Sequence, residues 1–147
     1  MLSTAKLRGE ILRMFGDGVS AAAAMSVNVI SFGFKYGIPM EADLVFDVRF
    51  LPNPYYIAEL RELTGLEEGV RTFIFGYQQT KDFMGHLEAL IGFLLPQYVE
   101  EGKTALVIGV GCTGGKHRSV AVTRALADYI RQKGYNATEN HRDMTRA

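Results

Sequence analysis

The chain has 147 residues, 48% hydrophobic and 22% charged, with 16 basic and 16 acidic side chains and a formal net charge of zero. That length and balance suit one globular domain with a buried core and argue against a disordered tail. No apolar run approaches the roughly 20 residues that span a bilayer, the mixed-charge start (Lys6, Arg8, Glu10, Arg13) is unlike a signal peptide, and the single cysteine, Cys112, excludes an internal disulfide framework.

These exclusions make a cytoplasmic protein with no membrane partner the expectation. The charge is unevenly spread. From Gly102 onward eight basic side chains stand against three acidic ones, a balance of +5, so the first 101 residues carry −5. A basic C-terminal part suits an anionic partner, and equally a solvated basic surface.

In chain order, Ser3 is placed to cap a helix over Thr4–Phe15 that ends at Gly16-Asp17-Gly18. Ser20–Met25 is alanine-rich, so residues 1–25 are set apart as a linker or helical extension and residues 26–147 are taken as one domain. Val27–Phe32 and Leu44–Val48 predict strands, the second stopped before Pro52-Asn53-Pro54. Helices are predicted over Ile57–Leu63, Glu67–Phe75 and Thr80–Leu95, the last closed by Pro96. Thr104–Ile108 has the unbroken apolar character of a strand buried in a parallel sheet. A glycine-rich loop follows, then a helix over Ser119–Lys133 that closes at Gly134, and a final strand over Asn136–Asn140. Alternating strands and helices predict a single α/β domain, a mostly parallel sheet flanked by helices.

The loop Gly111-Cys112-Thr113-Gly114-Gly115-Lys116-His117-Arg118-Ser119 carries the clearest chemistry. Gly111, Gly114 and Gly115 let the backbone bend and turn several N–H groups into one concavity. The next helix adds unpaired donors and its positive dipole end. Lys116 and Arg118 add charge, Thr113 and Ser119 hydroxyls. The expectation is a phosphate-binding loop at residues 112–119. A nucleotide P-loop does not fit, because Val110 stands where the first glycine belongs and His117 where Ser or Thr would meet Mg²⁺. Two readings stay open. Cys112, five residues, then Arg118 and Ser119 is the spacing of a cysteine-dependent phosphatase, with Asp47 a candidate acid. The same loop also serves binding without turnover, which needs no further group.

Two segments after predicted strands are rich in cations and rings: Phe32–Gly37, with Lys35 and Tyr36, and Asp47–Tyr56, with Arg49 and Asn53. If their strands are parallel neighbours, Lys35, Asp47, Arg49 and Asn53 share a rim with Lys116 and Arg118. Cations interleaved with Phe34, Tyr36, Tyr55 and Tyr56 suit single-stranded RNA or a sugar phosphate, with Asp47 or Asn53 bonding sugar hydroxyls. The competing expectation is an Asp47–Arg49 structural ion pair and aromatics in the core. His141-Arg142-Asp143 lacks every other kinase element, His86 is expected as a packed or surface residue, and the Cys and His spacing is too irregular for zinc, so neither metal nor cofactor is expected.

Ser31–Gly37, Phe46–Pro54 and Gly111–Val120, in this order, are similar to three motifs of the C-terminal domain of the RNase adapter family RapZ, also called YvcJ. The resemblance spans about Val27 to Arg146. It implies a fold similar to a phosphofructokinase subdomain. It implies a regulatory binding domain without catalytic residues, cut from or related to proteins with a preceding P-loop domain that is missing here. It implies small regulatory RNA and an amino-sugar phosphate such as glucosamine 6-phosphate as ligands, a ribonuclease as a partner, and self-association as a dimer. The family's functional positions carry over onto Lys35, Asp47, Arg49, Arg61, Cys112, Thr113, Gly114, Lys116, His117 and Arg118, with Arg61 joining Lys35, Tyr36, Arg49, Lys116 and Arg118 toward RNA. Tyr36 and Tyr55 stand where some members carry His; tyrosine keeps a ring and a hydrogen bond but does not titrate near neutral pH.

Overall fold

A computed structural model of the chain describes residues 25–146. The helix expected over Thr4–Phe15 and most of the alanine-rich extension lie outside the described residues. Four strands, β1 (Ser26–Gly33), β2 (Leu44–Asp47), β3 (Ala105–Cys112) and β4 (Asn136–His141), form one sheet in the order β2-β3-β1-β4. Every pairing is parallel. Among the described residues there are four α-helices: α1 (Ala58–Arg61), α2 (Glu68–Phe75), α3 (Gln78–Glu101) and α4 (Arg118–Gln132).

Strand alternation sorts the two faces of the sheet. Val27, Val29, Leu106, Ile108, Val110 and Cys112 join one core with Ile91 and Leu95 of α3 and Leu126 and Ile130 of α4. Each fully buried Leu or Ile there contributes roughly 1.5–3 kcal/mol. Phe32 points the other way. A Cβ on Gly109 or Gly111 would lie 3.1 Å and 2.6 Å from its ring, so two glycines of β3 make room for it. Gly111 is therefore a strand residue whose lack of a side chain serves packing, and the bend expected there begins after Cys112.

The four strands, the helices from residue 58 onward and their order follow the sequence expectation, with shifts at the ends. The largest concerns α3, which runs through Pro96 to Glu101 instead of closing there. Pro96 costs one backbone bond, but it lies on the exposed side while Leu95 and Val99 beside it are buried. Core packing on both sides offsets the loss. The helix stops at Gly102, where φ is 95° and the N–H donates to the Tyr98 and Val99 carbonyls.

Because all strands run the same way, their carboxyl ends share one edge. The turns at 34–36, 48–56, 113–117 and 142–146 gather there, where ligands of open α/β sheets bind. β1 and β2 are not neighbours; both flank β3, which places the glycine loop between them.

Candidate functional site

In the loop between β3 and α4 two carbonyls are bonded by neighbouring segments, while the amides are not. The Thr113 carbonyl accepts from the Lys35 N–H at 3.3 Å and the Lys116 carbonyl from the Gly65 N–H at 2.9 Å. No backbone N–H from Gly114 to Ser119 has an acceptor among the described residues. Gly115 adopts φ 81°, a left-handed conformation that favours glycine. Its neighbour is also backbone: a Cβ there would lie 2.6 Å from the Gly33 nitrogen, and a Cβ on Gly33 would lie 2.5 Å from the Gly114 carbonyl carbon. Two glycines thus let the end of β1 and the loop touch. Amides without an acceptor among the described residues, at the start of a 15-residue helix, are the kind of donors that an anion can bind.

Two loop side chains hold neighbouring segments. His117 is 7% exposed, and its Nε2 meets the Arg61 carbonyl at 3.0 Å. Burial, helped by the Lys116 and Arg118 charges, pushes the imidazole below its ordinary pKa despite backbone bonds that favour its charged form, so it is neutral and donates. Arg118 is 6% exposed; its Nη1 donates to the Arg49 carbonyl and, at 3.3 Å, to that of Leu51. Its Nη2 reaches the Thr113 hydroxyl at only 3.5 Å, and its buried Nε has no acceptor among the described residues. One edge of the guanidinium fixes the 49–51 segment, and the rest retains donor capacity. Lys116 pairs loosely with Glu62 at 3.7 Å, a contact with an 86% exposed carboxylate that is worth little.

Above the loop lies a cavity of about 580 Å³. The structure brings Lys35, Asn53, Arg61, Cys112, Thr113, Gly114, Lys116, His117 and Arg118 together as its lining. Tyr36, Asp47, Arg49, Gly115 and Ser119 are outside that lining. Tyr36 stands behind it, its ring 5.1 Å from Lys35 Nζ and 4.7 Å from Arg146 Cζ. Asp47 and Arg49 form a bidentate ion pair, 2.7 Å at its shortest. The Arg49 guanidinium, through its hydrogen bonds, holds the Asp47 carboxyl below the usual carboxylate range, and itself stacks 4.1 Å from the Phe34 ring centre. Asn53 caps the turn at Pro54–Tyr56, accepting from the Tyr55 N–H at 3.1 Å.

Cys112 and Ser119 of the phosphatase spacing meet inside the protein, the thiol donating to the hydroxyl oxygen at 3.1 Å. Asp47, the candidate acid, is ionised and lies outside the cavity lining, so it is poorly placed to protonate a leaving group. Ser31, His141 and Glu139 form a Ser–His–carboxylate chain, with contacts of 2.8 Å and 2.8 Å. Ser31 is wholly buried, however, and Arg124 clamps Glu139 with two bonds; the chain pins β4 to β1. Among the described residues no group of three or more His, Cys, Asp or Glu side chains is placed to hold a metal ion, and no helix is long and apolar enough to cross a membrane.

Sequence reasoning missed Glu62, Asp143 and Arg146. Asp143 is fully buried, accepts the Gly33 N–H at 2.8 Å and pairs with Arg142 and Arg146. Burial alone would raise its pKa, but Arg142, the Gly33 amide and Arg146 together hold the carboxyl below its usual range. It thereby anchors the tail and sets Arg146 on the cavity wall. Arg146 was part of the C-terminal charge excess; nothing local in the sequence distinguished it from a solvated cation.

Comparison with known proteins agrees with the motifs. The model of the RapZ C-terminal domain family matches residues 25–145. A nucleotide-binding protein of Acetivibrio thermocellus is 51% identical over 143 residues, 97% of this chain and 49% of the relative. One of Caldanaerobacter subterraneus is 50% identical over 143 residues, again 97% of this chain and 50% of the relative. One of Clostridium novyi is 47% identical over 139 residues, 95% of this chain and 47% of the relative. The chain thus spans about half the length of these curated relatives.

Proposed function

The chain belongs to the RapZ C-terminal domain family, and from that premise we propose that it is a regulatory binding domain whose cavity holds the phosphate of a phosphorylated ligand without cleaving it. The observation that carries this is the set of amides at Gly114, Lys116, His117 and Arg118, without an acceptor among the described residues, beneath a cavity lined by Lys35, Arg61, Lys116, Arg118 and Arg146, with Glu62 the one carboxylate among the described lining residues. A tetrahedral anion satisfies these donors together, whereas a catalytic role would need a proton donor that Asp47, held by Arg49, does not supply.

The ligand implied by the family resemblance, an amino-sugar phosphate of the glucosamine 6-phosphate kind, suits this setting. Its phosphate would sit on the loop, its hydroxyls near Asn53 and Thr113, and its ammonium near Glu62. A small regulatory RNA would follow the exposed cations of the rim, Lys35 and Arg61 on the cavity lining and Arg49 outside it, with Tyr36 beside them, and its affinity would fall with salt. A ribonuclease partner, self-association as a dimer and a cytoplasmic setting complete the reading.

A thermal-shift screen of inorganic phosphate, hexose phosphates and hexosamine phosphates tests the central claim. A ligand at 100 times its Kd adds about 2.7 kcal/mol to stability, enough for a shift of several degrees in a domain of this size. No shift with any phosphate, together with no RNA binding at low salt, would overturn the reading. Steady turnover of an aryl phosphate that disappears in Cys112→Ser would replace it with the phosphatase.

A further inference from the structure

The cavity has a floor and a rim of different character. The floor is closed: Cys112 and Arg118 are 3% and 6% exposed. The rim is open and aromatic, with Tyr55 and Tyr56 53% and 79% exposed and their rings edge to face, 5.8 Å between centres. Rings so exposed contribute little to the core, yet they are held in place. They sit in a tight turn opened by Pro54 and capped by Asn53. Arg61 donates from Nε to the Tyr55 carbonyl at 2.7 Å and lays its guanidinium 4.9 Å from the Tyr55 ring centre. A fixed, solvent-facing pair of rings beside a cation is a stacking platform for a flat base.

The floor favours one kind of phosphate. A diester offers two free oxygens and one charge; a monoester offers three and close to two. The amides of Gly114, Lys116, His117 and Arg118, the Nε of the buried Arg118, which has no acceptor among the described residues, and the Lys116 ammonium suit three free oxygens and a second negative charge better than two oxygens and one. A monoester seated there would carry its sugar upward, past Asn53 and Glu62, to the tyrosines.

We infer that the cavity takes a nucleoside 5′-monophosphate group, either a free nucleotide or the 5′ end of an RNA, with the phosphate on the loop and the base against Tyr55 and Tyr56. The inference rests on the phosphate-binding reading above and names a second ligand class for the same site, beside the amino-sugar phosphate.

The test uses the full chain and a ten-nucleotide RNA labelled at its 3′ end, in 5′-phosphate and 5′-hydroxyl forms, followed by fluorescence anisotropy. The 5′-phosphate form binds about tenfold tighter, and Tyr56→Ala lowers its affinity on the order of tenfold while lowering that of inorganic phosphate less. Competition by AMP separates the sources. Displacement at concentrations matching the decamer's own Kd supports the free nucleotide, and displacement only at concentrations tenfold or more higher supports the RNA end. Equal affinity of the two decamers, or glucose 6-phosphate binding as tightly as AMP, overturns the inference even where inorganic phosphate raises the melting temperature. Absence of any phosphate-induced shift instead overturns the reading beneath it.

Discussion

Two turns on the same sheet edge, the one after β3 and the one after β2, both present an arginine and both look like anion sites in the sequence. They differ in what their donors already do. After β2, Arg49 spends its guanidinium on Asp47 and the Phe34 ring, and the backbone N–H of Arg49 donates to Asp47 as well, at 2.9 Å. After β3, the amides from Gly114 to Ser119 have no acceptor among the described residues. Charge on a rim does not make a site; unsatisfied, preorganised donors do. The contrast reaches the two arginines themselves, since Arg118 is buried and joins the two turns through the Arg49 and Leu51 carbonyls.

The largest expected effect comes from closing the contact that lets the β3 turn form. Gly115→Ala places a Cβ 2.6 Å from the Gly33 nitrogen at φ 81°. Left-handed strain of roughly 1–2 kcal/mol and overpacking of roughly 1–3 kcal/mol together cost about 3 kcal/mol or more. Urea unfolding measures the loss; a change below about 1 kcal/mol would mean the loop has room to move and the close approach is not required. Next come the two arginines. Arg118→Ala strands two carbonyls and removes a buried side chain, an expected loss of about 2–4 kcal/mol, whereas Arg49→Ala breaks an exposed ion pair and a ring contact and costs much less. Equal losses at the two positions would erase the distinction drawn between the turns.

Lys116→Ala separates binding from stability. Its ion pair with Glu62 is long and exposed, so unfolding free energy changes by less than about 0.5 kcal/mol. Affinity for inorganic phosphate, read by thermal shift or calorimetry, falls about tenfold, as expected for one charge-assisted hydrogen bond. An unchanged affinity would leave the amides alone in charge of the anion.

Much of this was legible in the sequence. The glycines of 111–119 placed a turn between a strand and a helix, and the β-branched runs made that strand a buried one. Partners were not legible. Nothing in the motif says that His117 and Arg118 are turned toward backbone carbonyls of segments more than fifty residues away. Gly111 reads as loop in the sequence but is a strand position, because its role is to admit the Phe32 and Phe34 rings, a contact between strands far apart in the chain. Asp143 gave no local signal, since its purpose depends on the Gly33 amide 110 residues earlier. The Asp47–Arg49 spacing offered both an ion pair and a ligand contact, and only side-chain geometry separates the two.

The smallest expected effect probes the staple beneath the loop. His117 is neutral in the folded chain because burial lowers its pKa from the ordinary 6.5. Below about pH 6.5 the unfolded chain takes up a proton at this position that the folded chain does not, so its contribution to stability is complete above that pH and is lost as pH falls through the lowered value. In His117→Gln the side-chain amide can still donate to the Arg61 carbonyl but does not titrate. Urea midpoints at pH 7.5 and 5.5 therefore lie closer together in the variant than in the wild type. If both proteins lose the same stability over that interval, His117 is not the group that titrates, and the link between the loop and α1 rests on the Gly65–Lys116 backbone bond instead.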